Sequence, residues 1–215
     1  MKIILRYIWL TTSILLLAGT AYSQSTDNEF QSRTKIELDL DLLKGLNLSL
    51  APEVRLDESF SVDKYLLEST LSYKPLKGLE LGGSYRFIIN PRNDKATEYL
   101  NRFALYARYA YKIERWKPSL RIKYTNYTED ISKGTFLRYR AKLNYDIRKC
   151  RLTPMASVEA FQDLEDNQLY KFRYGLGVRY KLNKHSAIDL SYNLDYYMQE
   201  YRNKHIIKIG YRYSF

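Results

Sequence analysis

The chain has 215 residues, with 35 Lys and Arg against 24 Asp and Glu, a formal net charge of +11, 22 Tyr, 9 Gly and 5 Pro. One domain suffices at this length. A mean hydropathy of −0.48 beside 45% hydrophobic residues fits strands that show one face to oil and the other to water. After residue 23 no stretch approaches the roughly 18 uninterrupted apolar residues a spanning helix needs, which excludes a helical membrane protein.

The N-terminus differs in character from everything after it. Lys2 and Arg6 form a basic start, Ile8 to Ala18 an apolar core, and Ala21-Tyr22-Ser23 a small-residue cleavage pattern, so residues 1–23 are expected to be a cleaved signal peptide. Residues 24–215 are then expected to form one mature domain. The single cysteine, Cys150, lies far from the junction, which removes both the lipoprotein route and any internal disulfide. The leader takes two of the 35 basic residues and none of the acidic ones, leaving the mature chain at +9. Export argues against reading that charge as a nucleic-acid footprint.

From Thr34 the chain breaks into segments of period two, the barrel signature. The first alternates Thr34, Ile36, Leu38, Leu40 and Leu42 with Lys35, Glu37, Asp39 and Asp41; the second alternates Leu46, Leu48, Leu50, Pro52, Val54 and Leu56 with Asn47, Ser49, Ala51, Glu53 and Arg55. The pattern repeats over 65–75, 79–90, 99–113, 118–127, 135–147, 152–163, 169–182, 186–199 and 205–215, making eleven segments. Tight connections at Lys44-Gly45, Lys77-Gly78, Glu114-Arg115, Arg148-Lys149 and Asn183-Lys184 alternate with longer polar ones. Since such barrels put short turns in the periplasm and long loops outside, Phe215 falls at the periplasmic rim.

The pattern therefore predicts an all-β, antiparallel, up-and-down transmembrane barrel. Single-chain bacterial barrels have an even number of strands, so about twelve are expected, with 24–33 supplying the extra one. Ten is the alternative, with the segment at 34–43 outside the wall.

Lipid-facing parity falls on Tyr85, Phe87 and Ile89, on Phe103, Leu105 and Tyr109, and on Phe172, Tyr174 and Leu176, with aromatics near segment ends as an interfacial girdle. Trp116, beside a tight turn, fits the inner girdle. The opposite parity carries seventeen basic residues: Arg86, Arg102, Arg108, Arg121, Lys123, Arg138, Arg140, Lys142, Arg173, Arg179, Lys208 and Arg212, together with Arg55, Lys64, Lys74, Lys112 and Lys181. Its acidic partners are Glu53, Glu68, Glu159, Asp189 and Asp195, with Glu80, Asp146 and Asp163 further along. Base exceeds acid about two to one. At mid-membrane on the lipid face each Arg or Lys would cost roughly 2–4 kcal/mol, so these side chains are expected to line the lumen. A soluble carrier barrel would need the inverse, an apolar interior, and could not bury so many charges in a dry core.

The closing strand, Ile209, Tyr211, Tyr213 and Phe215 at spacing two, resembles the signal that outer-membrane assembly machinery reads. Enzymatic barrels need a histidine base, and only His185, at a tight turn, and His205, near the outer rim with outward parity, are available. No serine nucleophile stands beside His205. Asp163, Glu165 and Asp166 in one outer loop could attract a divalent cation, but a solvated acidic loop is the expectation. No metal site and no cofactor are expected.

The segments LRYRAKLNYDI (137–147), LTPMASVEAF (152–161), FRYGLGVRYKLNKHSAIDLSYNLDYY (172–197) and IGYRYSF (209–215) resemble the Bacteroidota outer-membrane proteins grouped as domain of unknown function 2490. The resemblance implies location and fold and carries no activity to any residue. The expected role is a non-enzymatic outer-membrane barrel, either a narrow porin-like, anion-tolerant channel or a structural and interaction component. Its expected partners are membrane lipid, lipopolysaccharide and the assembly machinery. Alternatives are a lipid-active barrel enzyme and a soluble periplasmic carrier.

Overall fold

The computed structural model of the protein describes residues 27–92, 95–127 and 134–215. The expected signal peptide at 1–23 and its cleavage point lie outside the described residues. The strands are β1 (Asp27–Leu43), β2 (Leu46–Leu56), β3 (Val62–Leu76), β4 (Leu79–Asn90), β5 (Glu98–Ala110) and β6 (Trp116–Tyr127). They continue as β7 (Phe136–Tyr145), β8 (Leu152–Asp163), β9 (Leu169–Lys181), β10 (Ser186–Tyr197) and β11 (Arg202–Ser214). Each is antiparallel to the next, and the sheet closes into a barrel by pairing β11 with β1.

That closure corrects the expected count of twelve or ten: the described residues form eleven strands. Residues 27–33 are not a separate strand, because no Gly or Pro between Asp27 and Leu43 interrupts the chain, and β1 runs unbroken for 17 residues. With an odd number both edge strands point the same way, so the seam is parallel. Its register runs from Asp27 opposite Arg202 to Asp39 opposite Ser214. Ion pairs cross it: Glu29 binds Arg202 and Lys204, each at 3.0 Å, and Glu37 binds Arg212 at 2.5 Å. At its lower end the Phe215 N–H donates to the Asp39 carbonyl at 3.0 Å.

The tight turns stand where glycine and turn chemistry placed them. Gly78 has φ +87°, and a Cβ there would sit 2.5 Å from the Ala110 carbonyl oxygen, so only glycine suits the position. The outer surface is apolar. Leu105, Leu120 and Leu176 are 66%, 66% and 65% exposed, which is the orientation a strand needs when its outward side chains meet hydrocarbon rather than water. Trp116 packs on Tyr145 with ring centroids 4.5 Å apart, on that surface beside the 114–115 turn.

One feature departs from the expected polar interior. Leu66, Ile88 and Leu100 pack as a buried apolar cluster, in register across the loop-side ends of β3, β4 and β5. Pleating gives each strand an inward face regardless of residue type, and here that face is aliphatic.

Candidate functional site: a charged lumen

A single cavity of about 1260 Å³ occupies the barrel interior. Its lining includes Asp63, Glu165 and Asp166 at the loop end and Arg115, Lys117 and Asp146 at the turn end, so it reaches both rims. Spread over the ~30 Å of a bilayer's hydrocarbon, that volume averages roughly 40 Å² in cross-section, a narrow passage.

Sixteen of the seventeen inward basic residues expected from the sequence line this cavity, among them Arg86, Arg102, Arg108, Arg121, Lys123, Arg138, Arg140, Lys142, Arg173, Arg179, Lys208 and Arg212; Lys74, near the turn end of β3, does not. Glu53, Glu68, Glu159, Asp189 and Asp195 line it as well. Among the described residues the lining holds twenty-two Arg and Lys against eleven Asp and Glu.

Register decides which charges meet. Going round the wall from β1 through β11 to β4, directly opposed residues read Glu29, Lys204, Asp195, Arg173, Glu159, Arg140, Arg121, Arg108 and Glu80. Sign alternates along this belt except where three arginines stand side by side on β7, β6 and β5. Opposite charges on neighbouring strands stabilise a sheet and like charges weaken it, so the alternating part is locked. Asp195, 1% exposed, takes a two-pronged grip from Arg173 at 2.5 and 2.6 Å and a third bond from Lys171 at 2.9 Å. Arg121 and Arg138 both bind one oxygen of Glu159, at 2.6 and 3.0 Å. Asp189 is forked by Arg179, Glu68 binds Arg86, Glu53 binds Arg55 at 2.6 Å, and Arg108 donates to Glu80 at 2.6 Å.

Aromatic rings extend this network towards the loop end. The Arg138 guanidinium lies 4.4 Å from the centroid of Phe161, and Lys171 lies 5.0 Å from Phe161 and 4.6 Å from Tyr197. Cations over ring faces are held by the ring quadrupole. The side chains of Arg140, Lys142 and Lys208, by contrast, make no ion pair or hydrogen bond with a described residue.

Sequence reasoning missed Arg33, Lys35, Glu37, Lys171 and Lys204 along the wall, and Asp63, Arg115, Lys117, Glu165 and Asp166 at the rims. Arg33 and Lys204 fall one residue before segments drawn to start at 34 and 205. Lys35 and Glu37 alternate with apolar residues, and that signal was sufficient to place them inside. Lys171 shares the parity of Arg173, but its partners Asp195 and Tyr197 are two dozen residues away.

The histidines sit elsewhere. His205 lies outside the lumen, stacked on Phe30 at 4.9 Å, with Nδ1 2.6 Å from the Tyr192 hydroxyl and Nε2 3.3 Å from the Asn28 side-chain oxygen. His185 touches the Ser214 carbonyl with Nδ1 at 2.9 Å. In the outer loop the Glu165 N–H donates to Asp163 at 2.9 Å, and no group of metal-ligating residues gathers among the described residues. Ile209 and Phe215 stand outward, 51% and 65% exposed, and Tyr213 meets Phe215 edge-on at 4.9 Å.

These features define a class: a closed β-barrel with an apolar exterior and an ionic, net-basic interior. The chain belongs to a family of proteins of unknown function, DUF2490, whose model matches residues 20–206. No curated protein sequence matches it. Its fold is similar to that of a solved KdgM porin in complex with disordered oligogalacturonate, with a TM-score of 0.51 at 14% identity over 77% of this chain and 90% of that one. A second KdgM porin structure matches at TM-score 0.47 and 13% identity over 77% of this chain and 89% of that one.

Proposed function

We propose that this protein is a non-enzymatic, narrow channel of the bacterial outer membrane that passes anionic solutes. The observation that carries the reading is the two-to-one excess of cations on a cavity that reaches both rims. Such a wall lowers the energy of an anion inside and raises that of a cation, because charges lining a low-dielectric passage act over its whole width. The apolar exterior supports a place in a bilayer, in contact with outer-membrane lipid and lipopolysaccharide. The outward Ile209, Tyr211, Tyr213 and Phe215 support insertion through the assembly machinery. That a barrel of the same fold was solved with an acidic oligosaccharide agrees with the choice of solute.

The lipid-active alternative finds less support, since the groups that meet the ring nitrogens of His205 are the Tyr192 hydroxyl and the Asn28 side-chain oxygen rather than a serine. The decisive measurement is a planar bilayer with a KCl gradient across it. The expected result is a stepwise current whose reversal potential favours chloride; cation selectivity, or silence at all voltages, would sink the channel reading.

A further inference from the structure

The belt of opposed charges contains a gap, and the gap has a shape. Arg173 is flanked by Asp195 and Glu159 and thus has a carboxylate on each side. Arg140, Arg121 and Arg108 are consecutive, with acids only at the two ends of the run. Neighbouring strands lie ≈ 4.7–4.9 Å apart, so three guanidinium stems share about 10 Å of wall. Lys142, one inward position along β7, adds a fourth cation and is flanked by Ser119 and Ser157.

The nearby acids are already committed. Glu159 serves Arg121 and Arg138, Glu80 serves Arg108 and Tyr106, and Asp189, the acid that bears on Lys142, is forked by Arg179. The side chains of Arg140 and Lys142 have no ion-pair or hydrogen-bond partner among the described residues, and the charges that act most on Arg140 are Arg121, Arg108 and Arg173 against one carboxylate, Glu159. The Nε atoms of Arg108, Arg121 and Arg138 are buried with no hydrogen-bond acceptor. Crowded like charges are costly, and a solute group carrying negative charge relieves that cost.

We infer that the Arg108, Arg121, Arg140 and Lys142 cluster is a binding station for a carboxylate-bearing solute, whose carboxylate occupies the place where the belt lacks an acid. The one other arginine of this belt, Arg173, is paired with a carboxylate through two parallel bonds, the match that the planar guanidinium fork favours. Of the serines beside Lys142, Ser119 donates its hydroxyl to the Lys142 carbonyl at 3.5 Å, and Ser157 offers a further hydroxyl to the solute. The inference rests on the channel reading only for how the solute arrives.

The test uses glucuronate and its uncharged methyl ester on the protein in detergent micelles, by titration calorimetry, and on the protein in a planar bilayer, as block of chloride current. Glucuronate is expected to bind and to block, and the ester to do neither. Arg140→Gln, which also relieves like-charge crowding and so should fold, is expected to weaken glucuronate binding by about tenfold or more, the worth of one charge-assisted hydrogen bond. Lys184→Gln removes the same charge from an exposed turn and is expected to change neither readout. Equal binding of acid and ester, or an unchanged affinity in Arg140→Gln, would overturn the site. Calorimetric binding without any chloride current would instead overturn the channel and leave the station standing.

Discussion

Asp195 shows how much of this barrel's order hangs on single carboxylates. It is 1% exposed and neutralises Arg173 and Lys171, so Asp195→Ala leaves two buried cations uncompensated. Removing one partner of a buried ion pair costs about 3–5 kcal/mol. Chemical unfolding in micelles is expected to show a loss of that size, and a clearly smaller one for Asp189→Ala, whose pair with Arg179 is 27% and 29% exposed. Equal losses would mean that burial does not set the cost. At Gly78 the left-handed backbone and the Ala110 carbonyl oppose any side chain, and Gly78→Ala should lower stability by about 1–2 kcal/mol in the same assay. At this scale the sequence was informative about faces: a cationic residue at every second position cannot point into lipid. It said less about partners. The pairing of Arg173 with Asp195, or of Arg121 with Glu159, depends on register between strands, which no local pattern encodes.

The strand is the scale at which closure is decided, and there local pattern and structure part. The alternation from Thr34 to Leu42 reads equally well for a strand in the wall or beside it, and the rule of even numbers favoured a twelfth element. What settles the matter is a pairing between the two ends of the chain, 13 residues of parallel ladder from Asp27 to Asp39. Antiparallel neighbours can be inferred from a short turn, whereas a parallel neighbour needs no short connection at all. A similar limit hid the apolar cluster. Leu66-Leu67, Ile88-Ile89 and Tyr99-Leu100 are adjacent apolar pairs: parity puts Ile89 outside and so Ile88 inside, but three apolar inward residues on three strands are joined into one cluster only by register. The seam is testable in a Cys150→Ser background. Ser32→Cys with Ile207→Cys places two thiols on directly opposed residues, with Cα atoms about 4.8 Å apart, inside the 4.4–6.8 Å range of disulfides. Oxidation is expected to give a faster-migrating, reductant-sensitive band in full yield; failure of the pair to cross-link would argue for a different closure.

Across the whole molecule the lumen's charge and the barrel's direction combine. Anion preference should be strong at 0.1 M salt, where the Debye length is ≈ 10 Å, and weak at 1 M, where it is about 3 Å; reversal potentials at the two ionic strengths measure this directly. The placing of short turns inside and long loops outside makes a separate prediction. Cys150, exposed beside the 148–149 turn, should resist a membrane-impermeant maleimide on intact cells and react once the outer membrane is permeabilised. Ser59→Cys, in the 57–61 connection, should label on intact cells. Reversed labelling would invert the barrel without disturbing its fold.

The odd number of strands, described above as a matter of closure, also sorts the two ends of the polypeptide. With eleven crossings, a chain whose last strand ends on the inner side begins its first strand on the other: Asp27 opens at the loop end, beside Tyr201, and Phe215 closes at the turn end. On the outer-membrane reading proposed above, with the short turns towards the cell, a peptide spliced in ahead of Asp27 is expected to be displayed to the environment and one appended to the last strand to be kept within the cell envelope, so the two ends of the barrel carry different addresses where those of an even-stranded one share a single address.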